Sequence, residues 1–163
     1  DEQKLASILY EYGELRNSRA LAAALVRQRD NTPILSTFDL IKALERFAPK
    51  FKDHKFYAQV FQAFRIEVNQ EMQVLKDFLE QAAQILKPDG RLVVMSYHSL
   101  EDRLVKNFMK RGSFSGEIEK DFFGNVQKPF TEVNRPPMIA DAEECERNSR
   151  ARSAKLRIAK KNG

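Results

Sequence analysis

The chain has 163 residues, a net charge of +5 and one cysteine. That length allows one domain with a hydrophobic core, or a small domain with part of another. A single cysteine excludes an internal disulfide and suits a reducing compartment. The sequence contains neither a signal peptide nor an apolar run long enough to span a membrane. We therefore predict a cytoplasmic protein with no membrane partner.

Apolar residues at helical spacing predict three short helices within residues 1–55. Gly13 is a natural end for the first helix, Ser18 can cap the second, and Pro49 ends the third. These residues are predicted to form a small helical unit.

A long helix is predicted next, over residues 57–86, because apolar residues from Val68 to Leu86 form a continuous stripe. Two polar residues on this helix are candidates for RNA contacts. Arg65 can clamp a phosphate, and Asn69 can pair with a base edge or cap a break in the helix. The alternative is that both are ordinary surface residues.

A buried strand followed by polar side chains is predicted after the turn at Pro88. Leu92 to Met95 is an apolar run, as expected of a strand covered on both faces. Ligands of open α/β sheets bind beyond the carboxyl ends of strands, so this strand end is a candidate site. The polar residues there are Ser96, His98, Ser99, Glu101, Asp102 and Arg103.

The remaining segments predict a helix that ends at Gly112, an edge strand over residues 126–130, a short helix over 142–147 and a strand over 154–160. The last strand alternates apolar and basic residues, which indicates that one of its faces is exposed to solvent. Seven basic and no acidic residues occur over 147–163, which we call the basic tail. It is either a nucleic-acid surface or a solvated terminus.

The residues alone do not name a reaction. The sequence has no glycine-rich phosphate loop, no metal-ligand spacing, and no setting that would activate Cys145. A triad of Ser96, His98 and Asp102 is disfavoured, because one short segment rarely aims three side chains at each other.

Four segments, taken together, resemble one family. The segment Ser96 to Arg103, S-Y-H-S-L-E-D-R, resembles the signature of the RsmH (MraW) family of small-subunit rRNA cytosine-N4 methyltransferases. Three other segments agree: Tyr12-Gly13-Glu14, residues 61–69 and residues 148–157. Phe64 and Ser149 depart from the usual family forms Q-A-L-R-I-x-V-N and N-P-R-A-R-S-A-K-L-R.

The resemblance implies a helix-rich α/β fold, namely the C-terminal half of a class I (Rossmann-like) methyltransferase sheet with a small all-α inserted domain. Residues 1–55 would be part of the inserted domain, and residues 56–163 the C-terminal half of the methyltransferase domain. The N-terminal half, which binds the cofactor in the family, would be absent. The chain is therefore expected to be a fragment.

The implied parent enzyme transfers a methyl group from S-adenosyl-L-methionine to the exocyclic N4 of a cytidine in 16S rRNA. Direct attack of the amine on the sulfonium methyl needs no metal and no covalent enzyme nucleophile. The fragment is expected to be inactive alone and to bind no cofactor. Its expected partner is the 16S rRNA of the small ribosomal subunit.

The resemblance also implies roles for particular residues. His98 and Ser96 are predicted to lie near the target base, with Asp102 and Arg103 orienting them. The alternatives are that His98 bonds to backbone at a strand-to-helix corner, and that the acids only favour the helix dipole. The predicted RNA contacts are Arg65, Asn69, Arg150, Arg152, Lys155 and Arg157.

Two other functions stay open. The chain could be a non-catalytic RNA-binding or ribosome-associated module that uses the basic tail, or a protein-interaction module presented by the helical unit. Truncation of the sheet would leave the edge of the strand at Leu92–Met95 exposed, so self-association is also expected.

Overall fold

The computed structural model of the chain describes residues 1–118, 122–124 and 128–163. These residues form two compact units, Asp1–Glu71 and Met72–Gly163. The first is helical, and the second adds a three-stranded sheet, which agrees with a helix-rich α/β class. The units divide later than the boundary predicted after residue 55, because helix α4 (Asp53–Asn69) packs within the first unit. The assignment of residues 1–55 to an inserted domain stays a prediction.

The first unit contains the three predicted helices and α4. Asp1 caps the first helix by accepting from the backbone N of Lys4, and Ser36 and Asp39 form a reciprocal capping box on the third. Ser18 does not cap the second helix as predicted; it is that helix's first residue, and it is buried. The helices are α1 (Glu2–Glu11), α2 (Ser18–Asn31) and α3 (Thr37–Leu44), with a 3-10 turn over Glu45–Phe47.

Two of the motif segments meet where α1 ends against α4. The Gln62 Nε2 donates a 2.9 Å hydrogen bond to the Tyr12 carbonyl oxygen. A Cβ added at Gly13 would lie 2.7 Å from the Leu9 carbonyl oxygen and 3.1 Å from that of Gln59. Glycine is therefore required here by the close approach of two backbones, and Gln62 satisfies an exposed carbonyl of the helix end. Around this junction lies a core that includes Leu9, Leu21, Leu44, Val60 and Ala63.

The single long helix predicted over residues 57–86 is wrong. Helix α4 ends at Asn69, and Gln70 takes a left-handed conformation with φ of 52° before α5 (Glu71–Ile85) begins. A left-handed residue interrupts the helix. One consequence is that Val68, assigned to the inner stripe, is 77% exposed.

The sheet of the second unit has the strand order β1-β3-β2, with β1 (Arg91–Ser96), β2 (Phe130–Glu132) and β3 (Lys155–Lys161). The central strand is antiparallel to both neighbours, so β1 and β2 are parallel to each other. The helices are α6 (Ser99–Arg111), which ends at the left-handed Gly112 as predicted, and α7 (Ala142–Arg147). The strand predicted over 126–130 lies partly outside the described residues, and β2 begins at Phe130.

Helices α5 (Glu71–Ile85) and α6 cover one face of this sheet. The core contains Leu79 and Ala82 of α5, Val105, Phe108 and Met109 of α6, and Leu92, Phe130 and Ala159 from the strands. On the opposite face Val93 and Met95 are 53% and 52% exposed. The prediction that β1 is covered on both faces is therefore wrong for this chain, because alternate residues of a strand point to opposite faces and helices lie on one of them.

In the described ranges, no helix combines the length and apolar character needed to cross a membrane.

The Gly13 contact gives a test of the first unit. We expect Gly13→Ala to lower the free energy of unfolding by about 1–3 kcal/mol, since the new methyl group must displace backbone rather than a flexible side chain. Urea denaturation followed by circular dichroism measures this. Gly163→Ala is the matched control, because a Cβ there meets no atom within 4 Å. Equal stability of the two variants would contradict the proposed close approach.

Candidate functional site

The carboxyl end of β1 is tied to β3 through Ser96. This residue is 3% exposed, and its Oγ donates to the Lys155 carbonyl oxygen at 3.5 Å. Ser96 points toward the helix-covered face, in register with Lys155. Its predicted role near a base is not tested, and its observed contact is to the sheet.

His98 is the N-cap residue of helix α6. Its Nδ1 accepts from the backbone N of Glu101 at 3.4 Å, and Glu101 Oε2 accepts from the backbone N of Tyr97 at 2.9 Å and of His98 at 3.3 Å. The His98 Nε2 lies 3.4 Å from Glu101 Oε1. This is a capping box built with histidine. The geometry favours the alternative that His98 bonds to backbone at the strand-to-helix corner, and its base-facing role stays a prediction.

Asp102 joins the first turn of α6 to β3. Its Oδ1 accepts from Arg157 Nε at 2.7 Å, and its Oδ2 accepts from Arg157 Nη2 and Lys155 Nζ, both at 3.2 Å. Asp102 and Arg157 are 8% and 6% exposed. The arginine therefore makes a bidentate, buried ion pair. The partners of Asp102 lie on β3, while Arg103, the partner predicted for it, has an exposed side chain on α6.

The surroundings of Asp102 keep it ionised. Burial raises the pKa of this carboxyl, but the hydrogen bonds and charge of Arg157, and then of Lys155, outweigh burial and hold the pKa below its usual range. A carboxylate that is a weak base and accepts three hydrogen bonds is poorly suited to taking a proton from a substrate. Asp102 is better suited to holding α6 on the sheet.

The predicted phosphate contacts fall into two groups. Arg157 faces the helices and is neutralised by Asp102, so its contacts do not support a phosphate role. Arg150 and Arg152 are exposed, in the 3-10 turn over Ser149–Ser153 that leads into β3. Lys155 remains 41% exposed at its side chain while bonded to Asp102.

Arg150 lines an open groove beside Met95 and Leu156, which alternate along their strands with the residues that face α6. The groove has a volume of about 800 Å³. Tyr97 lies in it just beyond β1 and is 55% exposed. The same groove is lined by one carboxylate, Glu144 of α7, and by Met95, Met138, Ile139, Ala140, Asn148, Ala151, Ser153, Ala154 and Leu156. Sequence reasoning missed Tyr97, although its position directly after a strand was an available signal.

Arg65 and Asn69 belong to the first unit, whereas the other predicted site residues lie in the second. Arg65 Nε and Nη2 bond to Glu71 at 2.8 and 3.1 Å, and Asn69 Nδ2 donates to Glu71 at 3.2 Å. Both side chains border a shallow groove of about 640 Å³ along α4. Their described contacts stabilise the helix break at Gln70, and their RNA roles stay predictions.

Over the described ranges, no group of three or more acidic, histidine or cysteine side chains is placed to hold a metal ion.

The Asp102 pair predicts a pH dependence of stability. Because the pKa of Asp102 is lowered in the folded chain, its stabilisation is complete above the ordinary aspartate pKa of about 3.9 and is lost as the pH falls through the lowered value. Asp102→Asn should cost about 3 kcal/mol at pH 7 by leaving Arg157 without its buried partner, and much less at low pH. Urea unfolding at both pH values measures the difference.

The control for this prediction is Glu146→Gln, which removes an exposed carboxylate of α7. Some loss of stability in acid should persist in Asp102→Asn. Asp39, bonded to Ser36, and Asp89, bonded to Lys160, also have lowered pKa values. A cost of Asp102→Asn that is the same at pH 7 and in strong acid would contradict the assignment.

Comparison with known proteins gives one consistent match. The model of the MraW methylase family matches residues 1–162. Three relatives, each named ribosomal RNA small subunit methyltransferase H, come from Cytophaga hutchinsonii, Parabacteroides distasonis and Flavobacterium psychrophilum. Their sequence identities to this chain are 58%, 54% and 55%, respectively. The aligned regions cover 98%, 98% and 99% of this chain. The matches cover 53%, 52% and 55% of the relatives, so the chain spans about half of their length. The chain belongs to the MraW methylase family.

Proposed function

We propose that this chain is the C-terminal half of an S-adenosyl-L-methionine-dependent methyltransferase that modifies the exocyclic N4 of a cytidine in 16S rRNA. The family match and the names of the relatives support this proposal. The strand order β1-β3-β2, with an antiparallel strand between two mutually parallel ones, is compatible with the end of a class I sheet. Residues 1–55 would then belong to an inserted helical domain.

The described residues do not fit a site for the methyl donor. Strand β1 enters α6 through Tyr97 and His98, without the glycines that let backbone approach a nucleotide cofactor. Asp102, the buried acid near this strand end, is occupied by Arg157 and Lys155. We therefore assign no step at the donor to this chain and propose that it positions RNA.

The observation that carries this role is the groove in which Tyr97 and Arg150 lie together beyond the end of β1. An exposed tyrosine offers a ring on which an unstacked base can stack, and a nearby arginine can hold its phosphate. Among the described contacts, neither the Tyr97 nor the Arg150 side chain takes part in the capping box or in the buried ion pair. The chain would act by orienting the cytidine, and orientation alone contributes greatly to transfer between two bound reactants.

The activity test uses the full-length protein that contains this chain. It should methylate N4 of a cytidine in small-subunit rRNA, as detected by nucleoside mass spectrometry. Tyr97→Ala should lower kcat/KM at least about tenfold, since stacking on one base is worth about 1–3 kcal/mol. Tyr97→Phe keeps the ring and should retain activity. S-adenosylhomocysteine should bind the full-length protein but not the 163-residue chain. Micromolar binding by the chain alone would overturn the assignment.

A non-catalytic RNA-binding module is the second candidate function. The exposure of Arg150 and Arg152 favours it, because neither needs a cofactor to bind phosphate. RNA binding without methylation by the full-length protein would support this candidate.

We also propose that the isolated chain self-associates. Strand β1 pairs only with β3 among the described residues, so its other edge offers unpaired backbone groups. Val93 and Met95 beside that edge are half exposed.

Sedimentation velocity tests self-association. The chain should form dimers or larger species as its concentration rises, and Val93→Lys should shift it toward monomer by placing a charge beside the edge. Val133→Lys, at a residue that is also about half exposed but follows β2, is the matched control. A wild-type chain that stays monomeric would contradict the proposal.

A further inference from the structure

A second groove of the sheet unit is lined almost entirely by basic side chains. It has a volume of about 460 Å³ and lies along α6 and the edge strand β2. We call it the basic groove and define it by Lys106, Lys110, Lys128 and Arg135. Glu132 and Arg157 complete its lining. None of the four defining residues lies in the basic tail.

Within the described residues, the positive charge of this groove is not balanced. Arg157 is neutralised by Asp102, and Glu132 is the one carboxylate among the described lining residues, against four cations. Within the described part of the chain, none of the four forms an ion pair. Lys106, Lys110 and Arg135 are exposed, and Lys128 is half-buried. Adjacent like charges repel, so an anionic ligand spanning the groove would be attracted from solution.

The groove is held by a fixed framework. Lys106 and Lys110 are one turn apart on α6 and share a face. Arg135 follows Asn134, whose side chain accepts from the Ile158 backbone N at 2.8 Å and donates to the Pro136 carbonyl oxygen at 3.0 Å. The Lys128 carbonyl oxygen accepts from Asn162 Nδ2 at 2.9 Å. Three separate backbone segments therefore hold the cations in a defined arrangement. On a solvated helix face, by contrast, the cations would all lie on one element.

The chemistry of the lining points to phosphates. Lysine binds phosphate as a point charge, and arginine can bind it through two parallel hydrogen bonds. None of the described residues that line the groove is aromatic, so they offer no ring on which a base could stack. Such a surface contacts the nucleic-acid backbone and carries no sequence information itself.

We propose that the basic groove binds the phosphate backbone of RNA, at a place separate from Arg150 and Arg152. This inference rests on the proposed function for RNA as the partner. The two places lie on different faces of the sheet, because the basic groove borders α6, while Arg150 lines the groove beside Met95 and Leu156, which point away from α6. RNA bound at both places would be held by Arg150 and Arg152 beside the base-orienting groove and by the basic groove at a distance from it.

The test compares two variants of the 163-residue chain with equal loss of charge. The groove variant carries Lys106→Gln, Lys110→Gln, Lys128→Gln and Arg135→Gln. The control variant carries Arg19→Gln, Arg27→Gln, Lys42→Gln and Lys87→Gln, all at exposed positions. Fluorescence anisotropy measures affinity for a labelled small-subunit rRNA hairpin and for a scrambled hairpin over a salt series. Circular dichroism checks that both variants are folded.

We expect the groove variant to lose at least about tenfold in affinity for both hairpins, with the slope of log K against log salt reduced by about 3. The control variant should bind as the wild type does. Equal affinity of the groove and control variants would overturn the proposal. If Arg150→Ala with Arg152→Ala then weakened binding, the proposed function would stand without the basic groove.

Two further outcomes separate the possible failures. A wild-type chain that binds neither hairpin would count against RNA as the partner of this chain, and so against the proposed function too. A groove variant that loses affinity for a polyglutamate peptide but not for RNA would overturn the proposal in favour of an acidic protein partner.

Discussion

The buried pair between Asp102 and Arg157 is the interaction on which the sheet unit depends. Moving two charges out of water is costly, and the pair recovers that cost only through good geometry and additional hydrogen bonds. Here the guanidinium binds both carboxylate oxygens, and Lys155 adds a third bond. The pair fixes the first turn of α6 to the central strand β3. It thereby fixes the corner that follows β1, which is where Tyr97 and His98 lie.

The four family segments are joined in pairs by contacts of this kind. Asp102 and Arg157 connect the segment over 96–103 with the one over 148–157, and Gln62 bonds to Tyr12 to connect the other two. Much of the signature therefore reflects contacts within each unit rather than contacts with reactants. Some residues of the same segments stay exposed, namely Tyr97, Arg150 and Arg152. These residues are the better candidates for recognising a substrate.

Local signals predicted the local structure well, and long-range partners account for the errors. The helix end at Gly112 and the short helix over 142–147 follow from neighbouring residues, whereas α3 ends at Leu44 and its 3-10 extension at Phe47, before the predicted end at Pro49. The break after Asn69 carries one local signal, since Asn69 is a residue that can cap a break, but a single long helix was predicted across it. Gln70 itself gives no signal, because glutamine is not a residue that favours left-handed backbone. The faces of β3 were misassigned for another reason. Alternating apolar and basic residues suggest a wet basic face, yet Arg157 is buried because its partner lies 55 residues away on α6.

The fold also redistributes the positive charge that the sequence places in the basic tail. Of its seven basic residues, Arg157 and Lys155 are bonded to Asp102, and Lys160 is bonded to Asp89 at 2.7 Å. Fewer cations of the tail are therefore available to a nucleic acid than its composition indicates. The basic groove gathers cations from α6, from the segment before β2 and from the segment after it, none of which is a charge run in the sequence. Because electrostatic attraction depends on the cations that lack internal partners, the surface that would attract an anionic ligand is set by folding more than by the terminal charge run.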